Sequence, residues 1–191
     1  MAPAGNFESL QAAIDNGADS VYFGVDQLNM RARASINFTI DDLDEIARRC
    51  APKGIRTYLT LNTIIYDHDL SIIKTLLDAA KKAGLTAVIA MDQAVIAYAR
   101  QIGMEVHIST QINITNIETV RFYAMFADTM VMSRELSLRQ IKKICEQIEK
   151  EQIKGPSGNL VEIEIFGHGA LCMAVSGKCY LSLHSHNSSA N

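Results

Sequence analysis

Two rhythms of apolar residues alternate along the chain. Short unbroken apolar runs, such as Ala87-Val88-Ile89-Ala90, alternate with longer stretches in which apolar positions return every third or fourth residue. The first rhythm is that of a strand buried on both faces, and the second that of an amphipathic helix. Residues 1–5 read as the end of a strand, and 20–24, 56–61, 87–90, 106–109, 129–132 and 161–166 as further strands. Between them, residues 7–16, 41–50, 69–83, 94–102, 116–126 and 137–151 read as helices. In the helix over 69–83, Leu70, Ile73, Leu76, Leu77 and Ala80 make the apolar stripe, and Gly84 stops it. Asp41, Asn116 and Ser137 are the expected N-caps, and Gly17, Gly54 and Gly103 the expected stops.

The alternation repeats about every 25–35 residues, which implies an α/β fold of parallel strands with covering helices. Two architectures accommodate it. A (β/α)8 TIM-type barrel typically needs about 250 residues, whereas an open doubly wound sheet fits in the 191 present. No Gly-x-Gly-x-x-Gly turn follows a strand, so a dinucleotide-binding sheet is unsupported. Polar residues recur at the C-terminal ends of the strands: Asn6, Asn29, Arg31, Asn62, Asp92, Gln111, Asn113, Arg134, Glu135 and His168. A barrel converges such positions on one mouth, and this favours the barrel. Asp92 also reads as an ordinary helix cap; Gln111, Arg134 and His168 are not preferred caps.

Composition narrows the class. Apolar residues are 48% and charged residues 20% of the chain, as in an ordinary globular protein. The formal charge of -3 gives no electrostatic reason to expect nucleic-acid binding. The basic pairs Arg48/Arg49 and Lys81/Lys82 read as solvated helix faces. No export signal and no apolar run of membrane-spanning length is present, so no membrane association and a cytoplasmic home are expected.

The chemistry concentrates near the end. Glu164-Ile165-Phe166-Gly167-His168-Gly169-Ala170-Leu171-Cys172 is followed by Gly177-Lys178-Cys179. Cysteines in a glycine-rich loop after a strand suit a soft metal or an iron–sulfur cluster. A zinc set of His168, Cys172, Cys179 and His184 or His186 is an alternative, and so is a Cys172–His168 nucleophile pair. Cys50 and Cys145 sit singly in amphipathic helices and read as buried small hydrophobes. No Gly-x-Ser-x-Gly and no His-Glu-x-x-His occurs. Arg134 suits an anionic substrate or an RNA phosphate, or a neighbouring acid that fixes its loop.

The block Glu164-x-Phe166-x-x-Gly169-Ala170-Leu171-Cys172, four residues, Gly177-x-Cys179-x-Leu181-Ser182 resembles the signature of peptidase family U32, the collagenase-like peptidases. Residues 1–6, 28–32, 59–63, 109–113 and 133–137 resemble further blocks of that family in the same order, so the resemblance covers essentially the whole chain. It implies a (β/α) barrel and one of two activities. Some members are named for collagen-degrading peptidase activity. Others carry out oxygen-independent hydroxylation of a tRNA or rRNA base, or of the ubiquinone ring, with a 4Fe-4S cluster on four cysteines. Cys172 and Cys179 match two of those ligands.

The resemblance thus leads to an iron–sulfur-dependent RNA-base hydroxylase. The alternatives are a collagenase-like peptidase acting on a peptide substrate and an inactive fragment of either. Asn62, Asp92, Gln111, Arg134, Glu135 and His168 are the expected catalytic residues, and Cys172 and Cys179 the expected cluster ligands. The chain reads as a single truncated barrel domain over residues 1–191, with an incomplete first strand and further cysteines expected beyond Asn191. An unclosed barrel edge would favour self-association.

Overall fold

The computed structural model describes residues 1–25, 38–169 and 174–175. It divides into two compact units, Met1–Glu105 and Val106–Asn191.

The first unit runs β1 (Ala2–Pro3), α1 (Phe7–Asp15), β2 (Ser20–Phe23), α2 (Leu43–Cys50), β3 (Arg56–Leu61), α3 (Leu70–Lys82), β4 (Ala87–Ala90) and α4 (Gln93–Gln101). The strands pair in parallel and in chain order, with Val21 opposite Thr57 and Tyr58 opposite Ala87. A doubly wound sheet would reverse its order at a switch point; here β1-β2-β3-β4 runs without reversal. All four residues of β4 are buried, which is why its sequence is an unbroken apolar run. Thr60 is buried in β3 and satisfied across the sheet, its Oγ1 donating to the Phe23 carbonyl at 2.8 Å.

The helices cover this sheet with one face each. In α3, Ile73, Leu76, Leu77 and Ala80 are buried. Leu77 is fully so, a burial that contributes about 2–3 kcal/mol. Gly84 ends the helix at φ 80, a left-handed conformation that a side chain would strain. The entry to α2 differs from the sequence expectation. Asp41 is not the cap; it lies within a 3-10 turn, Ile40–Asp42, that precedes the helix. Thr39 starts the turn, and the Asp42 carboxylate accepts both the Thr39 backbone N–H (2.7 Å) and its hydroxyl (2.8 Å). The carboxylate three residues on makes the reciprocal box, which the middle acid cannot.

The second unit continues with β5 (Glu105–Ile108), α5 (Ile117–Ala124), β6 (Thr129–Val131), α6 (Leu138–Glu151) and β7 (Glu162–Glu164). Strands β5, β6 and β7 again pair in parallel and in chain order. Ser137 caps α6 through its hydroxyl and Gln140 reaches back to the Ser137 N–H at 2.9 Å. Asn116 caps α5 by accepting from the Thr119 N–H at 3.0 Å.

Two expectations are corrected here. The last strand is Glu162–Glu164 rather than residues 161–166. Its final ladder bond is Met132 N–H to the Glu164 carbonyl at 2.9 Å. Beyond that point β6 offers nothing further to pair with, and Ile165 and Phe166 are exposed. Cys145 is half-buried rather than buried, because α6 turns Ile144 and Ile148 inward and Cys145 falls beside that stripe. Cys50 is fully buried, as expected.

Between α6 and β7 the chain makes a tight turn closed by an antiparallel bridge, Lys154 to Leu160. Asp128, just before β6, clasps it: Asp128 Oδ1 accepts from the Ser157 N–H at 3.0 Å and its hydroxyl at 2.6 Å. The Asp128 carbonyl accepts from the Glu162 N–H at 2.8 Å. Gly155 passes so close that a Cβ there would lie 2.4 Å from Asp128 Oδ1 and 2.8 Å from Asp128 Cα.

Candidate functional site

In parallel α/β folds the chemistry gathers at the C-terminal ends of the strands. In the first unit, Asn62 stands half-buried at the end of β3, followed by buried Thr63. The chain then turns outward, leaving Ile64 47% and Tyr66 60% exposed. A 3-10 turn, Asp67–Asp69, leads into α3. Asp69 Oδ2 accepts the Tyr66 N–H at 3.0 Å, and the Tyr66 ring stacks on His68 with centroids 5.7 Å apart and planes 4° from parallel.

Asp92 follows β4 and uses both carboxylate oxygens on backbone groups. Oδ1 accepts from the Ala94 N–H at 2.8 Å, capping α4, and Oδ2 accepts from the Ile65 N–H at 3.3 Å. The carboxylate therefore holds two loops in place. Asn6, after β1, is likewise a cap, accepting from the Ser9 N–H at 2.8 Å.

In the second unit, the loop after β5 is fixed from several sides. Ser109 caps a 3-10 turn, Thr110–Ile112, that ends with Asn113 in the left-handed region at φ 58. Thr110 Oγ1 donates to the Met132 carbonyl at 3.2 Å, and the Ser133 N–H donates to the Ile114 carbonyl at 3.0 Å. Asn113 Nδ2 donates to the Gln111 carbonyl at 3.4 Å. Inside this frame, Gln111 Oε1 is buried with no hydrogen-bond partner among the described residues. A buried acceptor left unpaired costs about 1–3 kcal/mol and calls for an explanation.

After β6, buried Ser133 donates its hydroxyl to Glu135 Oε2, which fixes Glu135. Arg134 is exposed and reaches forward to the Ala174 carbonyl at 3.5 Å. His168 is exposed on the segment that follows β7. Gln111, Arg134, Glu135 and His168 thus follow three adjacent parallel strands at the same end of their sheet. Asn62 and Asp92 stand in the same way at one end of β3 and β4.

Asn29, Arg31, Cys172, Cys179, His184 and His186 lie outside the described residues. Among the described residues no group of three or more His, Cys, Asp or Glu side chains could hold a metal ion. Burial pushes the Cys50 thiol up, and burial together with Glu149 does the same to Cys145. Both stay protonated near neutrality and suit neither metal ligation nor nucleophilic attack.

Several residues that shape this region were not singled out in the sequence. Thr110 acts through a bond to a distant partner, Met132, that only the fold brings near, and Ser133 through one to its close neighbour Glu135. Tyr66 and His68 carried a readable signal, two rings one residue apart in a polar loop after a strand.

The family model for "Peptidase family U32" matches residues 5–191. A protein named "Collagenase" from Porphyromonas gingivalis is 59% identical over 100% of this chain and 46% of its own length. A "tRNA hydroxylation protein P1" from Bacillus subtilis is 33% identical over 96% of this chain and 42% of its own. A 23S rRNA 5-hydroxycytidine synthase from Escherichia coli is 32% identical over 100% of this chain and 27% of its own. The chain thus spans less than half the length of these curated relatives. A solved U32 peptidase structure aligns with a TM-score of 0.63 at 13% identity, covering 77% of this chain and 64% of that one. At that identity the likeness is one of fold. By the match across nearly all its residues, the chain belongs to peptidase family U32.

Proposed function

We propose that the full-length protein is an oxygen-independent, iron–sulfur-dependent hydroxylase acting on an RNA base. The observation that carries this reading is the pair of RNA-hydroxylation relatives, each matching 96% or more of the chain. The fold of that full-length protein is, on the same reading, a TIM-type barrel, which the parallel chain-order strands of each unit support.

Cys172 and Cys179 would hold the 4Fe-4S cluster, with further thiolates supplied by other residues of the full-length protein. The cluster enters on the cysteine motif alone, since thiolates are its ordinary ligands. When bound it supplies one-electron redox chemistry. The described side chains have separate tasks. Gln111 offers a buried acceptor for an N–H of the base. Arg134, exposed beside it on the next strand end, suits the phosphate. Glu135, fixed by Ser133, and His168 are candidates for proton transfer. Asn62 is a further polar contact at the end of β3, and Asp92 supports the loop beside it.

The relative named "Collagenase" makes a peptidase the second reading. Peptide hydrolysis needs an activated nucleophile or an activated water. Burial raises the thiol pKa of Cys50 and Cys145, so neither of these two offers that nucleophile.

The test is nucleoside mass spectrometry of tRNA and rRNA from a strain lacking the gene. A hydroxylated nucleoside should disappear, return with the full-length gene, and stay absent with Cys172→Ser or Cys179→Ser. Those variants should also lose iron. Unchanged nucleosides, together with collagen cleavage by iron-free protein, would establish the peptidase instead.

A further inference from the structure

The loop after β3 shows a feature that the reading above does not use. It exposes Ile64 and Tyr66, large apolar side chains, at the strand end that also carries Asn62. Tyr66 does not stand alone: His68 stacks on it with ring planes 4° from parallel and centroids 5.7 Å apart. His68 thus backs one face of the Tyr66 ring, and the exposed remainder of the ring is what a ligand can reach.

That surface is held in place. Ile65 is tied to Asp92 by its backbone N–H at 3.3 Å, and Tyr66 to Asp69 at 3.0 Å. The Asp69 N–H returns to the Tyr66 carbonyl at 2.8 Å. The residues on both sides of the ring are thus fixed to the body of the unit. A ligand settling on the ring would have little loop entropy to remove.

Charge selects which part of a nucleotide fits. Asp67 and Asp69 flank His68, and their carboxylates repel phosphate. The faces of the rings remain attractive to any base, since every base has a π-face. We propose that Tyr66, backed by His68, is a stacking platform for a base of the RNA substrate, at the strand end that carries Asn62. This inference rests on the RNA-hydroxylase reading and adds a binding contact to it. Because the contact is made to a base and not to phosphate, it releases no counterions, and its strength is independent of salt.

The experiment uses the full-length protein and the RNA fraction that lacks the modified nucleoside in the deletion strain. Binding is followed by fluorescence anisotropy at low and high salt. Tyr66→Ala should weaken binding about fivefold or more, by the same factor at both salt concentrations. Tyr66→Phe, which keeps the ring, should bind as wild type, and His68→Ala should lie between. Melting temperatures of the variants establish that the fold is retained. If Tyr66→Ala binds as wild type and still restores the nucleoside in cells, the platform is refuted and the hydroxylase reading stands. A loss that vanishes at high salt would mark a phosphate contact and refute it equally. If wild type neither binds RNA nor restores the nucleoside, or binds a collagen-like peptide in its place, both readings fall.

Discussion

The Asp92 carboxylate lies 3.3 Å from the backbone nitrogen of Ile65, so one side chain joins the loop after β3 to the start of α4. Asp92→Ala removes this tie and the α4 cap together. Loss of the cap alone costs about 1 kcal/mol, and urea unfolding should register about 1–2 kcal/mol in all. Asp92→Asn keeps a capping oxygen and should lose less. If Asp92→Asn abolishes the modified nucleoside while stability is unchanged, the carboxylate takes part in the reaction itself.

Gln111→Leu removes a buried acceptor that has no partner among the described residues. No side-chain hydrogen bond among the described residues is broken by the change, so stability should stay within about 0.5 kcal/mol of wild type or rise. The hydroxylated nucleoside should nevertheless be lost. A marked fall in melting temperature would show that Gln111 serves the loop and not the substrate.

Gly155→Ala places a methyl 2.8 Å from the Asp128 Cα, a backbone atom that cannot swing aside. Denaturant unfolding should show a loss of about 1–3 kcal/mol. Shortening Asp128 in the same protein should not restore it, because the backbone contact remains. Gly158→Ala is the comparison. There the new methyl meets open space, and only the left-handed backbone at φ 83 opposes it.

Glu45 accepts hydrogen bonds from Arg48 and Arg49, which lower its pKa from the ordinary 4.5 to about 2. A carboxyl with a folded pKa below its unfolded value stabilises the fold above the unfolded pKa. That contribution drains away as pH falls from about 4.5 through about 2. Glu45→Gln should melt below wild type near neutrality, and the gap should close on acidification across that window. The group is exposed, so added salt should shrink the gap. A gap that does not change with pH would assign the effect to packing.

Much of the fold was legible because its signals are local. The start of α6 follows from Ser137 and Gln140 three residues apart, and α5 from Asn116. The apolar run 87–90 is a strand as it reads. The misreadings had one non-local and one local cause. Ile165 and Phe166 have strand propensity, but the end of β6 decides where β7 stops. Asp41 and Asp42 are equivalent as acids, and only the spacing from Thr39 separates them. At the candidate site, residue types already set Asp92, which reads as a helix cap, apart from Gln111, which does not, but they gave no partners. That Asp92 is fully engaged by backbone while Gln111 Oε1 is not depends on the loops around them.

The clasp of Asp128 on Ser157 gives β7 an unusual dependence. The strand is three residues long, and its register against β6 is set where it enters rather than along its length. Inserting one residue between Gly155 and Asn159 would therefore act at a distance. It would either break the clasp or slide Glu162–Glu164 by one position, turning each side chain to the opposite face. The segment bearing His168 would be carried along with it. The turn works as a ruler, measuring out where the histidine stands, and its length is as much a part of the candidate site as any side chain in it.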